Sequence, residues 1–365
     1  MDFRNRLARA RAATATAGVD ALLIGIGADL RYLTGYAGHE SERLTCLVVP
    51  ATGDPVLVLP RLERPAALAS PAGSLGLELR DWTDGEDPYG LVAGQFAGPV
   101  GRVAVNDHLH AAKVLGLRAA LPAAEQSLAG PVLGPLRARK SPDEVAALRA
   151  AAAAIDRVHS RMGEWLRPGR TERAVGRDIA DAILAEGHVS ADFTIVGSGP
   201  NGASPHHELS DRVIESGEPV VVDIGGSTAD GYCSDSTRTY VLGSTPAGFT
   251  DYYDVLEAAQ KAAVDAVRPG ATAESVDAAA RDAITAAGYG AAFLHRTGHG
   301  IGLQTHEDPY IVGGNAQVLE PGMAFSVEPG IYFAGQHGAR IEDIVVVTED
   351  GVERLNRTTR DLGVL

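Results

Sequence analysis

The sequence has little cysteine and no long apolar run, and each shortage narrows the class of protein. Two cysteines in 365 residues, Cys46 and Cys233, are too few for a disulfide-stapled secreted domain. No apolar stretch approaches the roughly 20 residues that a membrane-spanning helix needs. The arginines of residues 1–11 are not followed by the apolar core of a signal peptide. We therefore expect a cytoplasmic protein with no membrane partner.

The chain is also short of positive charge, with 32 basic and 47 acidic side chains and a net charge of −15. This balance argues against binding to nucleic acid or to anionic membranes. Residues 1–133 hold 12 basic and 14 acidic side chains, whereas residues 134–365 hold 20 and 33. The excess of negative charge is therefore concentrated in the second part of the chain.

A length of 365 residues predicts two domains. Residues 1–133 alternate short strands with alanine-rich helices and contain no paired carboxylates or clustered histidines, which predicts an α/β domain without chemistry of its own. Glycine-proline pairs at 130–131 and 134–135 mark the predicted boundary. Ser141 then opens a helix with a capping box. We expect residues 134–365 to form the catalytic domain.

A predicted hairpin in residues 220–242 carries a first pair of acidic residues. Asp223 interrupts the apolar run that begins at Val220, glycines mark a reversal, and the returning strand contains Asp235. A reversal centred on Ala229 places the two aspartates directly opposite each other on one face. Two buried carboxylates at that spacing repel each other, so we expect a divalent cation between them.

A second predicted hairpin, residues 323–347, has the same design. Glu328 interrupts its first strand, and a reversal centred on Gly335 places Glu328 opposite Glu342. His299 lies between the two hairpins in the segment GHGIG, whose glycines do not have the spacing of a dinucleotide-binding fingerprint. Four carboxylates and one imidazole suit two divalent metals about 3.5–4 Å apart.

The order of predicted elements in residues 134–365 is repeated. Two helices, a strand and the first hairpin are followed by two helices, a strand and the second hairpin. We find no repeat at the level of individual residues, so the predicted duplication is one of element order. A site at the seam of two such halves takes one hairpin from each.

The motifs around these residues resemble those of the pita-bread metallopeptidases, the superfamily of methionine aminopeptidase, aminopeptidase P, prolidase and the metal-free creatinases. The resemblance covers nearly the whole chain and rests on five motifs: VVVDIGG, YCSDSTRT, GHGIGLQTHEDP, SVEPGIY and GARIEDIV. It implies an α/β N-terminal domain of the creatinase/prolidase type. An α+β pita-bread catalytic domain with an internal pseudo-twofold duplication is implied to follow.

The resemblance also implies two divalent metal ions per subunit, with manganese as the first expectation and cobalt or zinc as alternatives. The implied metal ligands are five residues: Asp223, Asp235, His299, Glu328 and Glu342. Among them, Asp235 and Glu342 would bridge the two metals, which would make a hydroxide available near neutral pH. The family resemblance further implies a homodimer.

Three residues would take part in the chemistry. Glu328 would also carry a proton from the nucleophile to the leaving nitrogen, His306 would stabilise the oxyanion, and His206 would orient the substrate on its proline side. Substrate-binding or metal-supporting roles are implied for three others: His295, Arg340 and Tyr232. His207 is interpreted as a solvated loop residue.

The implied function is hydrolysis of the peptide bond that precedes proline in Xaa-Pro dipeptides. The alternative is a Xaa-Pro aminopeptidase (aminopeptidase P) that acts on longer peptides. Prolidases of this type resemble one another in a His-Glu-Arg loop that can reach the partner subunit's site, whereas residues 41–43 here read Ser-Glu-Arg, with His39 two places earlier. A metal-free creatinase-like hydrolase or a non-enzymatic module is a more distant alternative, because all five positions keep metal-binding side chains.

Overall fold

The structure, a computed structural model, describes all 365 residues. The chain divides into two compact units, residues 1–137 and 138–365. This division lies four residues beyond the boundary expected at 133/134. Both positions fall within the helix Gly130–Ala138. The first glycine-proline pair begins that helix, because a proline in the first turn lacks only an N–H that has no helical partner.

The first unit is built on a six-stranded mixed sheet. Its strands are β1 (Ala21–Ile24), β2 (Cys46–Pro50), β3 (Val56–Pro60), β4 (Glu78–Trp82), β5 (Arg102–Val105) and β6 (Glu125–Leu128). They lie in the order β4-β3-β2-β1-β5-β6, with β2 antiparallel to both neighbours and the other pairs parallel. The helices are α1 (Phe3–Thr16), α2 (Ala28–Thr34), α3 (Arg64–Ala69), α4 (Pro88–Ala93), α5 (Ala111–Ala120) and α6 (Gly130–Ala138).

The second unit contains four helices and eleven strands. The helices are α7 (Pro142–His159), α8 (Glu172–Ala185), α9 (Phe249–Ala266) and α10 (Ala273–Ala286). The strands are β7 (His188–Ser198), β8 (Pro219–Thr228), β9 (Cys233–Val241), β10 (Gly298–Gly300), β11 (Glu307–Ile311), β12 (Ala324–Val327), β13 (Gly330–Phe333), β14 (His337–Arg340), β15 (Asp343–Val347), β16 (Val352–Arg354) and β17 (Gly363–Val364). They form sheets in the orders β17-β9-β8-β7, β11-β10-β12-β15-β16 and β13-β14.

The second unit repeats its element order, as expected, because α7, α8, β7 and the β8–β9 hairpin precede α9, α10, β10 and the second hairpin. The structure also reveals a residue-level repeat that the sequence analysis missed. The pattern Arg-Pro-Gly-x-Thr occupies residues 167–171 and 268–272. Thr171 caps α8 and bridges to Val213, while Thr272 caps α10 and bridges to Val318. The same local structure therefore opens one helix of each half.

Each half of the second unit has an apolar core of its own. In the first half, α7 and α8 pack Ile155, Val175 and Ile179 against β8. In the second half, α9 and α10 pack buried side chains such as Leu256 and Val276 against β12 and β15. The two helix pairs cover their sheets from outside, which leaves the polar faces of both hairpins to meet each other.

None of the helices combines the length and apolar character that crossing a bilayer requires.

Candidate metal centre

The β8–β9 hairpin places the two aspartates on one face but two residues out of the expected register. Asp223 lies opposite Thr237, and Asp235 lies opposite Gly225. The reversal is centred on Asp230 instead of Ala229, because Gly231 adopts the left-handed backbone (φ +85°) that closes the turn. The prediction of a directly opposed pair was therefore wrong, and Asp223 and Asp235 are diagonal neighbours.

The second hairpin is centred on Gly335, as predicted, but its strands are interrupted. Glu328 lies between β12 and β13, and Glu342 lies between β14 and β15. At these breaks the backbone N–H groups leave the ladder: Glu328 donates to the Thr297 carbonyl (2.8 Å) and Glu342 to the Thr237 carbonyl (3.1 Å). The breaks therefore connect the second hairpin to the histidine segment and to β9.

His299 stands at the centre of the short strand β10. A Cβ atom at Gly298 would overlap the Ser326 carbonyl, and one at Gly300 would overlap the Asp308 carbonyl. The glycines on both sides of His299 are thus required by close packing of β10 between its neighbours. They allow an imidazole to enter the site from a strand that has almost no room for side chains.

The structure brings all five expected metal ligands into one cavity of about 850 Å³. His299 Nε2 lies 3.1 Å from Glu328 Oε1 and 3.7 Å from Asp235 Oδ2. Ligand atoms of Asp235, His299 and Glu342 all lie within 4.8 Å of one another. His299 Nδ1 donates to the Gly300 carbonyl (3.2 Å), which leaves Nε2 directed at the carboxylates.

The buried carboxylates repel one another. Burial raises the pKa of Asp235 well above its usual value, and the charges of Glu342 and Asp223 raise it further. Burial, followed by the charges of Glu328 and Asp223, raises the pKa of Glu342 in the same way. Without a compensating cation, this cluster is electrostatically unfavourable.

The pKa values of Glu328 and His306 are both lowered, so each group is deprotonated at neutral pH. Burial opposes ionisation of Glu328, but the hydrogen bond and charge of His299 outweigh it and lower the pKa of Glu328 to about 2. Burial and the charge of His299 lower the pKa of His306 to about 4. Near pH 7, Glu328 is therefore ionised, and His306 is a neutral imidazole.

The buried Arg340 donates hydrogen bonds to the carboxylate cluster and to two residues beside it. Its guanidinium donates to Asp223 Oδ2 (2.5 Å), Tyr332 Oη (2.8 Å) and Thr237 Oγ1 (3.0 Å). The Tyr332 hydroxyl also lies 2.8 Å from His295 Nε2. The Tyr332 hydroxyl thus connects His295 to Arg340. Both side chains line the cavity, as do His206 and His306.

The donor set fits a divalent cation. Asp223 Oδ1 and Glu342 Oε1 are buried oxygens without a hydrogen-bond partner, although most buried polar atoms in proteins have one. Thr237 Oγ1 donates to the other oxygen of Glu342 (2.8 Å), which leaves Oε1 facing the cluster. Carboxylate oxygens and one imidazole nitrogen are ligands for manganese, cobalt or zinc.

Tyr232 does not line the cavity, so the substrate-binding or metal-supporting role implied for it needs correction. Its hydroxyl donates to Glu144 Oε1 (2.9 Å) near the start of α7, and its ring packs among buried residues that include Leu148 and Ile301. Tyr232 immediately precedes β9 and lies three residues before Asp235, and extending the strand alternation by one residue places the two side chains on opposite faces. Strand alternation alone could have excluded it.

His207 is not the solvated loop residue that the sequence suggested. Its Nε2 lies 2.8 Å from Glu172 Oε2, and Glu172 also accepts hydrogen bonds from Ser198, Asn201 and Ser210. Glu172 is fully buried at the start of α8, so it anchors the loop that carries His206. The only sequence signal was an acidic residue after a capping threonine, which is ordinary at a helix N-terminus.

In the second half, Asp277 anchors the histidine-bearing segment as Glu172 anchors the loop in the first half. This buried residue of α10 accepts hydrogen bonds from the Thr297 N–H (3.1 Å) and hydroxyl (2.8 Å) and from the Arg281 guanidinium. Arg281 also donates to the His295 carbonyl (2.9 Å). The segment that carries His295 and His299 is thereby fixed to α10.

The loop at residues 39–43 lies in the first unit. Arg43 there forms ion pairs with Glu42 (2.8 Å) and Asp84 (2.9 Å), and all three side chains are at least partly exposed. The exposed His39 precedes them.

The architecture and the cluster of acidic residues around one histidine are those of a metallopeptidase, and comparisons with known proteins agree. Residues 146–349 match metallopeptidase family M24, and residues 6–139 match the creatinase/prolidase N-terminal domain. This chain therefore belongs to metallopeptidase family M24. The expected fold class, an α/β N-terminal domain followed by a pita-bread catalytic domain, is confirmed.

Curated and solved relatives match 92% to 100% of the chain. It is 55% identical over 363 residues to the probable dipeptidase PepE of Mycobacterium tuberculosis, covering 100% of this chain and 96% of that protein. It is 37% identical over 343 residues to the Xaa-Pro dipeptidase of Lactobacillus helveticus, covering 92% of each. The crystal structure of dipeptidase PepE from Mycobacterium ulcerans superposes with a TM-score of 0.95 at 54% identity, covering 100% of this chain and 99% of that one.

Proposed function

We propose that this protein is a two-metal dipeptidase that hydrolyses the peptide bond preceding proline. The observation that carries the proposal is the convergence of five ligand side chains in one cavity, with buried oxygens of Asp223 and Glu342 left without a partner. The names of its relatives, a probable dipeptidase and a Xaa-Pro dipeptidase, support the substrate class.

The five side chains would hold the metals in the arrangement that the family resemblance implies. Asp223 would serve one metal, His299 and Glu328 the other, and Asp235 and Glu342 both. Divalent cations at such a site lower the pKa of water toward neutrality and polarise a carbonyl oxygen. The oxygen-rich donor set supports manganese as the native metal.

The residues around the metals supply the proton transfers. Glu328 takes a proton from the attacking water, whose oxygen bonds to the carbonyl carbon, and delivers it to the proline nitrogen as the C–N bond breaks. Ser326 donates to Glu328 Oε1 (3.0 Å) and holds the carboxylate in place. The neutral His306, whose ring centroid lies 4.0 Å from that of His299, donates a hydrogen bond to the developing oxyanion.

The cavity also offers a surface for the substrate. Phe193, Ile195 and Leu209 line it and provide apolar contact for a pyrrolidine ring. His206 lies on the loop anchored by Glu172 and would orient the proline side of the substrate. Closely placed polar groups beside an apolar wall are typical of a small-substrate site.

A cytoplasmic address and a homodimer complete the proposal. Both cysteines are buried and free, which supports a reducing compartment. The homodimer rests on the family resemblance, and the mass of the native particle in solution tests it.

The proposed activity is tested with three substrates: Ala-Pro, Ala-Pro-Ala and Ala-Ala. Each is incubated with chelated enzyme, with and without added manganese. Manganese-dependent cleavage of Ala-Pro alone is the expected result. Preference for Ala-Pro-Ala would make the protein a Xaa-Pro aminopeptidase, and equal cleavage of Ala-Ala would remove the proline requirement. Absence of cleavage with two metals bound would overturn the proposed substrate class.

A further inference from the structure

The segment that carries His306 has little support from its own backbone. Residues 302–306 form neither helix nor strand, and His306 is exposed to the cavity. Its imidazole contacts the ring of His299 but makes no hydrogen bond within the protein. A donor to a developing oxyanion has to be in place before the reaction, because a displacement of about 1 Å can cost two orders of magnitude in rate. Another part of the protein must therefore hold this segment.

Glu307, the next residue, is where the segment rejoins a sheet. It is the first residue of β11 and pairs with Gly300 of β10, whereas His299 pairs with Tyr310. The ladder is irregular between these two pairs, so it fixes the start of β11 less firmly than a continuous ladder would. Successive side chains of an extended chain point to opposite sides, which turns His306 to the cavity and Glu307 into the protein.

The buried Glu307 carboxylate is held from two directions. Lys140 Nζ donates to Glu307 Oε1 (2.8 Å), and the two side chains are 1% and 7% exposed. A Cβ atom at Gly302 would lie 2.6 Å from the same oxygen, so the carboxylate packs against the backbone where the irregular segment begins. Lys140 is itself fixed, because its N–H donates to the Gly322 carbonyl (2.8 Å) and Ser141 caps α7.

This ion pair joins residues 167 positions apart, and neither partner lines the cavity or belongs to the proposed metal ligands. A buried ion pair contributes little net stability, since the cost of desolvating both charges offsets their attraction, but its geometry is specific. We propose that Lys140 and Glu307 are positioning residues for His306, and that their ion pair fixes the segment so that the imidazole meets the developing oxyanion. The inference rests on the proposed peptidase function.

The first test is hydrolysis of Ala-Pro by the manganese-loaded full-length enzyme and by Lys140→Met. We expect kcat to fall about 10- to 100-fold in the variant, because a displaced imidazole no longer reaches the oxyanion. KM should change less than about twofold, because the lost interaction forms only in the transition state. The metal content should stay at the wild-type value, since neither Lys140 nor Glu307 is a proposed ligand.

Two further variants separate positioning from folding. Lys140→Met alone leaves a buried carboxylate without its cation, which destabilises the protein. Combining it with Glu307→Gln removes both charges, so the thermal unfolding midpoint should return toward the wild-type value while kcat stays low. Lys140→Arg keeps the charge and the hydrogen-bond donors and should recover part of kcat.

A double-mutant cycle shows whether the effect passes through His306. In a His306→Ala background, Lys140→Met should lower kcat by less than about twofold more, because no imidazole is left to position. Arg137→Met is the matched control for loss of an ion pair elsewhere. It removes the pair of Arg137 with Asp29 in the first unit (2.7 Å, 11% and 14% exposed) and should change kcat by less than about twofold.

Each outcome bears on the proposal. A loss of kcat that persists in the charge-free double variant and disappears in the His306→Ala background supports it. Wild-type kcat in Lys140→Met and in the double variant would overturn it, as would a loss that adds fully to that of His306→Ala or appears equally in Arg137→Met. If wild-type enzyme with two metals does not cleave Ala-Pro, the proposed function fails first and the positioning role fails with it.

Discussion

The two halves of the second unit share a frame but position their acidic residues differently. Asp223 and Asp235 stand inside the continuous strands β8 and β9, where the hydrogen-bond ladder fixes them. Glu328 and Glu342 stand at breaks between strands, where their N–H groups bond to Thr297 and Thr237. A ladder fixes a side chain within its own sheet, whereas a break lets the backbone connect one sheet to another.

This difference explains how the halves are joined. Thr237 of β9 accepts from the Glu342 N–H and donates to the Glu342 carboxylate. Arg238 donates to the Glu342 carbonyl and, at 2.7 Å, to Asp343 Oδ1. The continuous strand β9 thus carries one proposed ligand, Asp235, and also contacts the interrupted strand of the other half through Thr237 and Arg238.

The largest expected effect comes from neutralising one of the carboxylates that we propose as bridges, Asp235 in one half and Glu342 in the other. Asp235→Asn and Glu342→Gln should each reduce kcat/KM about a thousandfold or more, a loss of about 4 kcal/mol of transition-state stabilisation. Folding should be little affected, because each change removes a buried charge that repels its neighbours. Peptide hydrolysis is measured on samples of known metal content.

Glu208→Gln is the matched control, since Glu208 also lines the cavity but is exposed and is not a proposed ligand. It should retain activity. If Asp235→Asn or Glu342→Gln retains full activity in a sample of known metal content, the assignment of these residues as bridges is wrong.

Removing an imidazole from the second half alone should have the next largest effect. His306→Ala should lower kcat about 100- to 1000-fold, as for loss of one oxyanion donor, while both metals stay bound. Metal content by mass spectrometry and kcat are measured on the same sample. Loss of a metal instead would show that His306 is a ligand.

Breaking the connection between the halves should cost stability. Arg238 and Asp343 form an ion pair with side chains 3% and 0% exposed. Arg238→Met leaves a buried carboxylate with weaker partners and should reduce the free energy of unfolding by about 3 kcal/mol. Urea unfolding of chelated protein measures the change.

The matched control is Arg149→Met, which breaks the more exposed pair of Arg149 with Glu353. It should cost less than about 1 kcal/mol. If both variants lose a similar amount of unfolding free energy, the buried ion pair between the halves contributes no more to stability than the exposed pair.

The smallest effect concerns a histidine behind the first hairpin. His159 lies 2.9 Å from the Tyr240 hydroxyl and 3.2 Å from the Ser236 carbonyl, and burial followed by the charge of Arg238 lowers its pKa to about 3. As the pH falls, His159 is protonated in the unfolded chain before it is protonated in the folded protein. Its full contribution to the free energy of unfolding is therefore present above about pH 6.5 and decreases as the pH drops toward 3. At pH 5 the loss is about 2 kcal/mol.

Urea unfolding at pH 7 and pH 5 measures that loss in wild type and in His159→Gln, which should show a smaller difference. His39→Gln, at an exposed histidine, should behave like wild type. An unchanged pH dependence in His159→Gln would show that His159 does not control it.

Local patterns in the sequence predicted much of this arrangement. Apolar runs interrupted by single acids located both hairpins, and Gly335 fixed the centre of the second. The register of the first could not be read in the same way, since several glycines and polar residues could have closed the turn, and Gly231 took the left-handed position. One choice of turn residue shifted the opposing strand by two positions.

Contacts between distant segments were beyond the sequence analysis. The bond of His207 to Glu172 joins residues 35 positions apart, and neither residue has a local pattern that indicates a buried pair. Tyr232 was placed at the site by the family resemblance, whereas its hydroxyl donates to Glu144 near the start of α7. The Arg-Pro-Gly-x-Thr repeat, by contrast, is a linear pattern present in the sequence, and the structure adds that both copies open a helix.

The most direct test of the account is the position of bound metal in crystals grown with manganese, located by anomalous scattering. Two peaks between Asp223, Asp235, His299, Glu328 and Glu342, both touching Asp235 and Glu342, are the predicted result. A single peak, or metal bound away from these side chains, would contradict the claim that the two hairpins together form one dinuclear centre.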